Sequence, residues 1–306
     1  MMHSEELTEP GRQIFLSMSK LLDAAGLDYQ GRFIDLGDHR VHYLDYGEGP
    51  PVLMLHGGGA GSAIWFKQIE VLSKTRRVIA PDHPVFGLSS QDAYKAPLLP
   101  YLVSYMVRLF DELGLSRVDV VGLSMGAQAA LAMALEHPDR LGKLIVIDSA
   151  GLGRDFPLVF KLATVPFFGR LIVKPNRWGQ DNYFKTMEVV DSDFVEASAY
   201  KQYAYDVTLS DGHGRAMRSS LAAITSIMGQ KSIFTDEELA SITAPTLAIW
   251  GARDRVFPVD HGYRLAHLLP NASLHIIEDA RHVPFLDHPN MVNELIMSFL
   301  KHPLGA

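Results

Sequence analysis

Short, continuous apolar runs alternate with helical patterns over most of the chain, and this alternation restricts the fold more than any other feature. Apolar runs typical of buried strands lie at residues 77–80, 118–121, 144–147, 246–250 and 274–277. Helical spacing of apolar residues occurs at about residues 101–113, 125–136, 259–268 and 290–301. Strands that are apolar on both faces and joined by helices form mostly parallel sheets with helices on both sides. The sequence therefore predicts an α/β protein.

The region before these runs adds three more strands. Residues 32–36 and 40–46 are β-like and flank a Gly-Asp pair, which predicts a hairpin leading into a buried strand at 51–55. We therefore expect a central sheet of about eight strands, most of them parallel.

The patterns also divide the chain into parts. Residues 1–30 predict an N-terminal helical extension, because apolar positions in residues 12–25 recur at helical spacing. Residues 151–241 lack comparable strand signals and are rich in Phe, Tyr and Met, which indicates helices. We therefore expect an α/β core at 31–150 and 242–306, with a helical cap inserted at 151–241.

The composition excludes several classes of function. The 306 residues are 47% hydrophobic and 21% charged, as in ordinary globular enzymes, and the net charge is -7. Nucleic-acid binding needs clustered Lys and Arg, so this chain is not expected to bind nucleic acid. The chain has no cysteine, which excludes disulfides, thiolate metal sites and a cysteine nucleophile.

The sequence carries no sign of export or of a membrane span. The first residues, MMHSEELTEPGRQ, lack the basic start and apolar core of a secretory signal, so we expect a cytoplasmic location. Charged residues, Pro and Gly interrupt the most apolar long stretch, residues 156–173. The oligomeric state stays open, with a homodimer as one candidate.

The motif GLSMG at residues 122–126 stands directly between a predicted strand and a predicted helix. A serine on such a sharp turn exposes its hydroxyl, and the crowded backbone around it needs glycine neighbours. The helix that follows directs its free N–H groups towards negative charge near the serine. We predict that Ser124 is a nucleophile, although the five letters alone also suit a glycine-rich turn with a surface serine.

The motif HGGG at residues 56–59 ends an earlier predicted strand. Glycines let backbone N–H groups approach a tetrahedral intermediate without interference from a side chain, which suits an oxyanion loop. A phosphate-binding loop is the alternative, but no dinucleotide fingerprint and no Gly-Lys-Ser/Thr sequence follows. We expect the N–H groups of Gly58 and Met125 to form an oxyanion hole.

A serine nucleophile needs a base and an orienting carboxylate. His282 follows the last predicted strand, and Asp254 follows the strand before it, so both should emerge at the same sheet edge as Ser124. Asp148 also follows a strand and is the alternative acid; we prefer Asp254. No HExxH or comparable ligand spacing occurs, so no metal and no cofactor is expected.

From residue 33 to residue 300 the chain resembles the α/β-hydrolase superfamily. The resemblance rests on HGGG at 56–59, DHPVFGLS at 82–89, GLSMG at 122–126, EHPDR at 136–140 and His282, in the expected order. It implies the α/β-hydrolase fold and serine-hydrolase chemistry with Ser124, Asp254 and His282 as a catalytic triad. Val85 departs from the family pattern, which usually has glycine there.

Within the superfamily, residues 56–61, Trp65 and residues 260–262 resemble the meta-cleavage-product hydrolases, which split carbon–carbon bonds in dienoic acids. That subgroup usually has Asn before the serine and Trp after the histidine, where this chain has Leu123 and Val283. We therefore expect a carboxylesterase that forms an acyl-enzyme, with a small-molecule ester or acyl substrate as its partner. Carbon–carbon hydrolysis and a cofactor-free perhydrolase or lyase are the alternatives, and the intact triad argues against a non-enzymatic ligand receptor.

Overall fold

The central sheet positions every candidate site residue. The computed structural model describes residues 7–37, 39–90, 97–184, 196–210 and 212–301. The strands are β1 (Gly31–Asp35), β2 (Arg40–Tyr46), β3 (Pro51–Leu55), β4 (Arg77–Pro81), β5 (Val118–Leu123), β6 (Leu141–Ile147), β7 (Thr225–Ser226), β8 (Gly229–Gln230), β9 (Thr246–Gly251) and β10 (Ala272–Ile277).

Eight of these strands form one sheet in the order β1-β2-β4-β3-β5-β6-β9-β10. Pairing is antiparallel for β1 with β2 and for β2 with β4, and parallel for every other neighbouring pair. The predicted mostly parallel sheet of about eight strands is confirmed, as is the α/β fold class. The strands β5, β6, β9 and β10 are consecutive neighbours, so the loops at their carboxyl ends share one edge.

Helices cover both faces of the sheet. They are α1 (Glu9–Ala24), α2 (Phe66–Leu72), α3 (Leu98–Glu112), α4 (Met125–Glu136), α5 (Leu158–Ala163), α6 (Pro166–Ile172), α7 (Arg177–Tyr183), α8 (Ala197–Thr208), α9 (His213–Ile224), α10 (Asp236–Ser241), α11 (Asp260–Leu268), α12 (Pro284–Asp287) and α13 (Pro289–Lys301). One buried cluster joins the sheet to α3, α4 and α11, and another joins it to α1, α2 and α13. None of the described helices has the length and apolarity to cross a membrane.

The chain between β6 and β9 consists mainly of helices, α5 to α10. The short hairpin β7–β8 is an exception to the helices predicted there, because two paired residues are too few to produce an alternating pattern. Gly229, at φ 110°, closes its turn, and the Gln230 side chain donates to the carbonyl oxygens of Gly153 and Asp155. The division of the chain into extension, core and cap stays a prediction, and its residues 1–6, 38, 91–96, 185–195, 211 and 302–306 lie outside the described part.

A buried carboxylate, Asp82, joins three segments beneath the candidate site. It is fully buried and accepts hydrogen bonds from His42 Nδ1 at 2.8 Å, Ser62 N at 2.5 Å and Leu88 N at 2.8 Å. Burial alone would raise the pKa of Asp82, but His42 and these hydrogen bonds favour the charged form and lower the pKa to about 2. The charged carboxylate therefore stabilises the folded protein.

We predict that Asp82→Asn lowers the free energy of unfolding by about 3 kcal/mol at pH 7, because His42 loses its anionic partner. Because the pKa of Asp82 is lower in the folded protein than in the unfolded chain, its charge stabilises the fold above about pH 4. This stabilisation is lost as the pH falls towards 2. Urea unfolding at pH 7, 4 and 3 should show the gap between wild type and variant narrowing with acid. The exposed Asp139→Asn variant is the control, and a gap that stays constant over this range would contradict the prediction.

Candidate active site

Ser124 is the entire turn between β5 and α4, since the strand ends at Leu123 and the helix begins at Met125. Its backbone has φ 55° and ψ -115°, a conformation that a residue with a side chain adopts only when its surroundings impose it. Ser124 N donates to Ile147 O at 3.0 Å, and Ser124 O accepts from Gln128 N at 3.0 Å. These bonds to β6 and α4 hold the serine in the strained turn.

The two glycines of the motif are required by contacts with backbone atoms. A Cβ on Gly122 would lie 2.6 Å from the N and Cα of Ala127. A Cβ on Gly126 would lie 2.4 Å from Leu55 O, at the end of β3. The glycines therefore let α4 pack directly against β3 and β5.

The loop at residues 56–59 lies over this turn. A Cβ on Gly57 would lie 3.3 Å from Ser124 Cβ, and a Cβ on Gly58 would lie 3.7 Å from Met125 Sδ. Within the described part of the chain, neither the Gly58 N–H nor the Met125 N–H donates a hydrogen bond to a protein group. Both donors are thus available next to Ser124.

His56 anchors the loop from below. Its Nε2 accepts from His83 N at 2.9 Å, which leaves the proton on Nδ1, and Nδ1 lies 2.7 Å from Gly57 O. Burial lowers the pKa of His56, so the ring is neutral. His56 therefore fixes the shape of the loop.

His282 and Asp254 form a hydrogen-bonded pair at the carboxyl ends of β10 and β9. His282 Nδ1 lies 2.8 Å from Asp254 Oδ2, and the Asp254 side chain is fully buried. The other carboxylate oxygen, Oδ1, accepts from Val256 N at 2.6 Å. The ring of Phe257 packs edge-on against His282 with centroids 5.5 Å apart. The imidazole is thus held with Nε2 left for another partner.

Ser124 and His282 follow β5 and β10, on the same sheet edge. Among the described residues, the structure contains no hydrogen bond between the Ser124 hydroxyl and His282. Catalytic hydrogen bonds are often long without substrate and shorten on binding. The roles of Ser124 as nucleophile and His282 as base therefore stay predictions.

Asp148, the alternative acid, lies beside this pair after β6. Its Oδ1 accepts from Gly251 N at 3.1 Å, and its side chain is fully buried. One possible metal-ligating atom from each of Asp148, Asp254 and His282 lies within 4.8 Å of the other two. Two carboxylates and one imidazole could hold a cation, but a cation bound by His282 Nδ1 would replace the bond to Asp254. His282 is thus bonded to Asp254, the acid that the sequence favours.

A family model described as alpha/beta hydrolase fold matches residues 50–289. The chain belongs to the α/β-hydrolase family. This hydrolase is 33% identical over 274 residues to a 2-hydroxy-6-oxononadienedioate/2-hydroxy-6-oxononatrienedioate hydrolase of Pseudomonas putida, covering 87% of this chain and 93% of the relative. It is 31% identical over 280 residues to a 2-hydroxy-6-oxo-6-phenylhexa-2,4-dienoate hydrolase of Burkholderia cepacia, covering 87% and 92%.

A solved carboxylesterase from Bacillus subtilis has the same fold as this hydrolase. The TM-score is 0.82 at 24% identity, covering 97% of this chain and 100% of the other. At this identity the likeness concerns the fold alone. The relatives and the structure together identify the chain as a hydrolase. They do not determine which bond it cleaves.

The sequence patterns do not predict two residues of α9 that reach the loop at residues 56–59 of this hydrolase. A Cβ on Gly59 would lie 2.8 Å from Met217 Sδ and 4.0 Å from His213 Cε1. His213 is buried, its Nδ1 has no hydrogen-bond partner among the described residues, and burial lowers its pKa to about 4. In the sequence His213 stands between two glycines, and this pattern alone predicts no functional role.

We predict that Gly126→Ala destabilises the hydrolase by about 1 to 3 kcal/mol, because the added Cβ forces α4 away from Leu55 O. Gly58→Ala is the matched control, since its Cβ would make only an ordinary contact with Met125. Thermal unfolding of both variants measures the difference. Equal melting temperatures for the two variants would refute the packing argument.

Proposed function

We propose that this hydrolase cleaves the carbon–carbon bond next to the 6-oxo group of a 2-hydroxy-6-oxodienoate. The proposal rests on one observation: its relatives at 33% and 31% identity are hydrolases of 2-hydroxy-6-oxodienoic acids, and each match covers 87% of the chain. Our sequence-based expectation of a carboxylesterase becomes the second candidate.

The geometry supports a serine-hydrolase mechanism. His282, oriented by Asp254 through the 2.8 Å bond to Nδ1, takes the proton of Ser124 while the serine attacks the carbonyl. The unoccupied N–H groups of Gly58 and Met125 stabilise the oxyanion. The tetrahedral intermediate then expels the leaving group, which takes the proton from His282, and an acyl-enzyme remains. Water activated by His282 attacks the acyl-enzyme, releases the acid and returns a proton to Ser124.

Cleavage of a carbon–carbon bond requires stabilisation of a carbanionic leaving group, which ester hydrolysis does not require. In the 2-hydroxydienoate form the leaving carbon, C5, belongs to a double bond, so a proton must first move from the 2-hydroxyl to C5. The electrons of the broken bond then delocalise through the remaining double bond into the 2-oxo group, and polar groups that bind the substrate's oxygens assist both steps. Positions 123 and 283 hold buried Leu123 and Val283 and cannot supply these contacts. His213, which is neutral and lies next to the oxyanion loop, is our candidate for this contact.

A carboxylesterase is the second candidate. Leu123 is buried, and its Cδ2 would lie 3.6 Å from a Cβ on Gly57, so an apolar side chain lies beneath the oxyanion loop. An alkoxide or phenoxide leaving group needs only a proton from His282, and such a site provides that without further polar groups.

We predict that the wild type bleaches 2-hydroxy-6-oxo-6-phenylhexa-2,4-dienoate with kcat/KM above about 10⁴ M⁻¹s⁻¹, and that Ser124→Ala lowers this at least about 10³-fold. Stopped-flow absorbance follows the loss of the dienoate colour. The same preparations are assayed with p-nitrophenyl butyrate, and a fluorophosphonate probe reports whether Ser124 is nucleophilic.

The outcomes separate the two candidates. Rapid ester hydrolysis with an unchanged dienoate would replace the proposal with the carboxylesterase. Full turnover by Ser124→Ala of either substrate would overturn the serine mechanism altogether.

We predict that His213→Phe lowers kcat/KM for the dienoate about 10- to 100-fold and changes that for p-nitrophenyl butyrate less than about threefold, because the ester lacks the oxygens that His213 would bind. Phe retains the contacts of the ring with Phe86, whose centroid lies 6.1 Å away. Steady-state kinetics with both substrates gives the comparison, and equal losses would assign His213 a structural role.

A further inference from the structure

The mechanism leaves one buried carboxyl group without a role. Asp148 lies at the carboxyl end of β6, between the strand that carries Ser124 and the strand that carries Asp254. Its Oδ2 is buried and has no hydrogen-bond partner among the described residues. A buried polar atom without a partner costs about 1 to 3 kcal/mol, so this oxygen needs an explanation.

Asp254 is the neighbour that can satisfy Asp148. One carboxyl oxygen of Asp148, one of Asp254 and one ring nitrogen of His282 lie within 4.8 Å of one another. Two buried carboxylates so close cannot both be ionised, because each raises the cost of charging the other. One of the two must therefore carry a proton.

The hydrogen bonds decide which carboxyl group carries it. Asp254 has two partners, His282 Nδ1 at 2.8 Å and Val256 N at 2.6 Å, and both favour an anion. Asp148 has only Gly251 N at 3.1 Å. Burial first, and then the charges of Asp254 and Asp287, raise the pKa of Asp148 well above its usual range.

We propose that Asp148 is a neutral carboxylic acid whose Oδ2–H donates a hydrogen bond to the Asp254 carboxylate and so positions it for His282. The inference rests on the proposed triad and adds Asp148 to it as a positioning residue. It assigns the buried proton to Oδ2 of Asp148, the atom that otherwise has no partner. It also explains how two acids coexist beside one histidine.

Asp148→Asn and Asp148→Ala form the matched test pair. Asn keeps the shape and supplies an N–H donor, and it tolerates the positive φ of 42° at this position better than most residues. Ala has no donor. We expect Asp148→Ala to lower kcat about 10- to 100-fold with KM changed less than about twofold, and Asp148→Asn to recover kcat to within about threefold of the wild type.

The pH profile of kcat/KM separates a neutral Asp148 from a charged one. The groups facing Asp148 are Asp254, His282 and Asp287. If Asp148 were ionised, Asp148→Asn would remove a negative charge that stabilises protonated His282, and the acid limb would move to lower pH. A neutral Asp148 predicts an acid limb within about 0.2 pH units of the wild type.

Asp254→Asn is the comparison for loss of the orienting acid, with an expected loss of about 10⁴-fold. If Asp148→Asn were equally inactive, or shifted the acid limb downward, the inference would be overturned. The rate of Ser124 labelling by a fluorophosphonate, measured across the same pH range, gives a readout that needs no substrate. A failure of the proposed function appears instead as labelling that is insensitive to Ser124→Ala or Asp254→Asn, and thermal unfolding checks that each variant is folded.

Discussion

The close packing of α4 against the end of β3 is the constraint on which the candidate site depends. Because Gly126 has no side chain, the start of α4 lies against Leu55 O, immediately before the HGGG loop. The same contact brings Gly57 over Ser124 and Gly58 over Met125. Ser124 and the N–H groups of Gly58 and Met125, which are the predicted nucleophile and oxyanion donors, are therefore neighbours because of one backbone approach, and the strain at Ser124 accompanies it.

The electrostatics around this turn follow from burial. His56, His83 and His213 are neutral because desolvation lowers the pKa of each ring. His56 and His83 act as uncharged hydrogen-bonding groups, whereas His213 Nδ1 has no partner among the described residues. Asp82 stays charged because three donors surround it, and it stabilises the loop after β4. In the proposed arrangement, Asp254 is ionised and Asp148 is neutral. A single negative charge beside His282 would stabilise the protonated imidazole that forms in the transition state.

The sequence predicted the sheet well because most of its strands are buried on both faces and carry a simple apolar signal. The strand predicted at 144–147 lacks the start of β6, because Lys143 interrupts the apolar run in the sequence. In the fold, Lys143 is buried and its Nζ donates to Phe299 O at 2.6 Å. It did not predict α2, whose seven residues are too few for a clear helical period. Val85 shows a different limit. Its φ of 74° is the conformation that glycine would supply, and tertiary contacts impose it on a buried valine.

Positions 123 and 283 show why the order of residues does not fix the bond that is cleaved. The curated relatives are hydrolases of dienoates, whereas a carboxylesterase has the same fold, so the fold does not determine which bond is cleaved. Departure depends on the groups around the far side of the substrate. Leu123 and Val283 are apolar, whereas the polar imidazole of His213 comes from α9, nearly a hundred residues away from Ser124 in the chain. Only the folded chain brings His213 next to Gly59, and in the proposed function its imidazole supplies the polar contact that the two apolar positions lack.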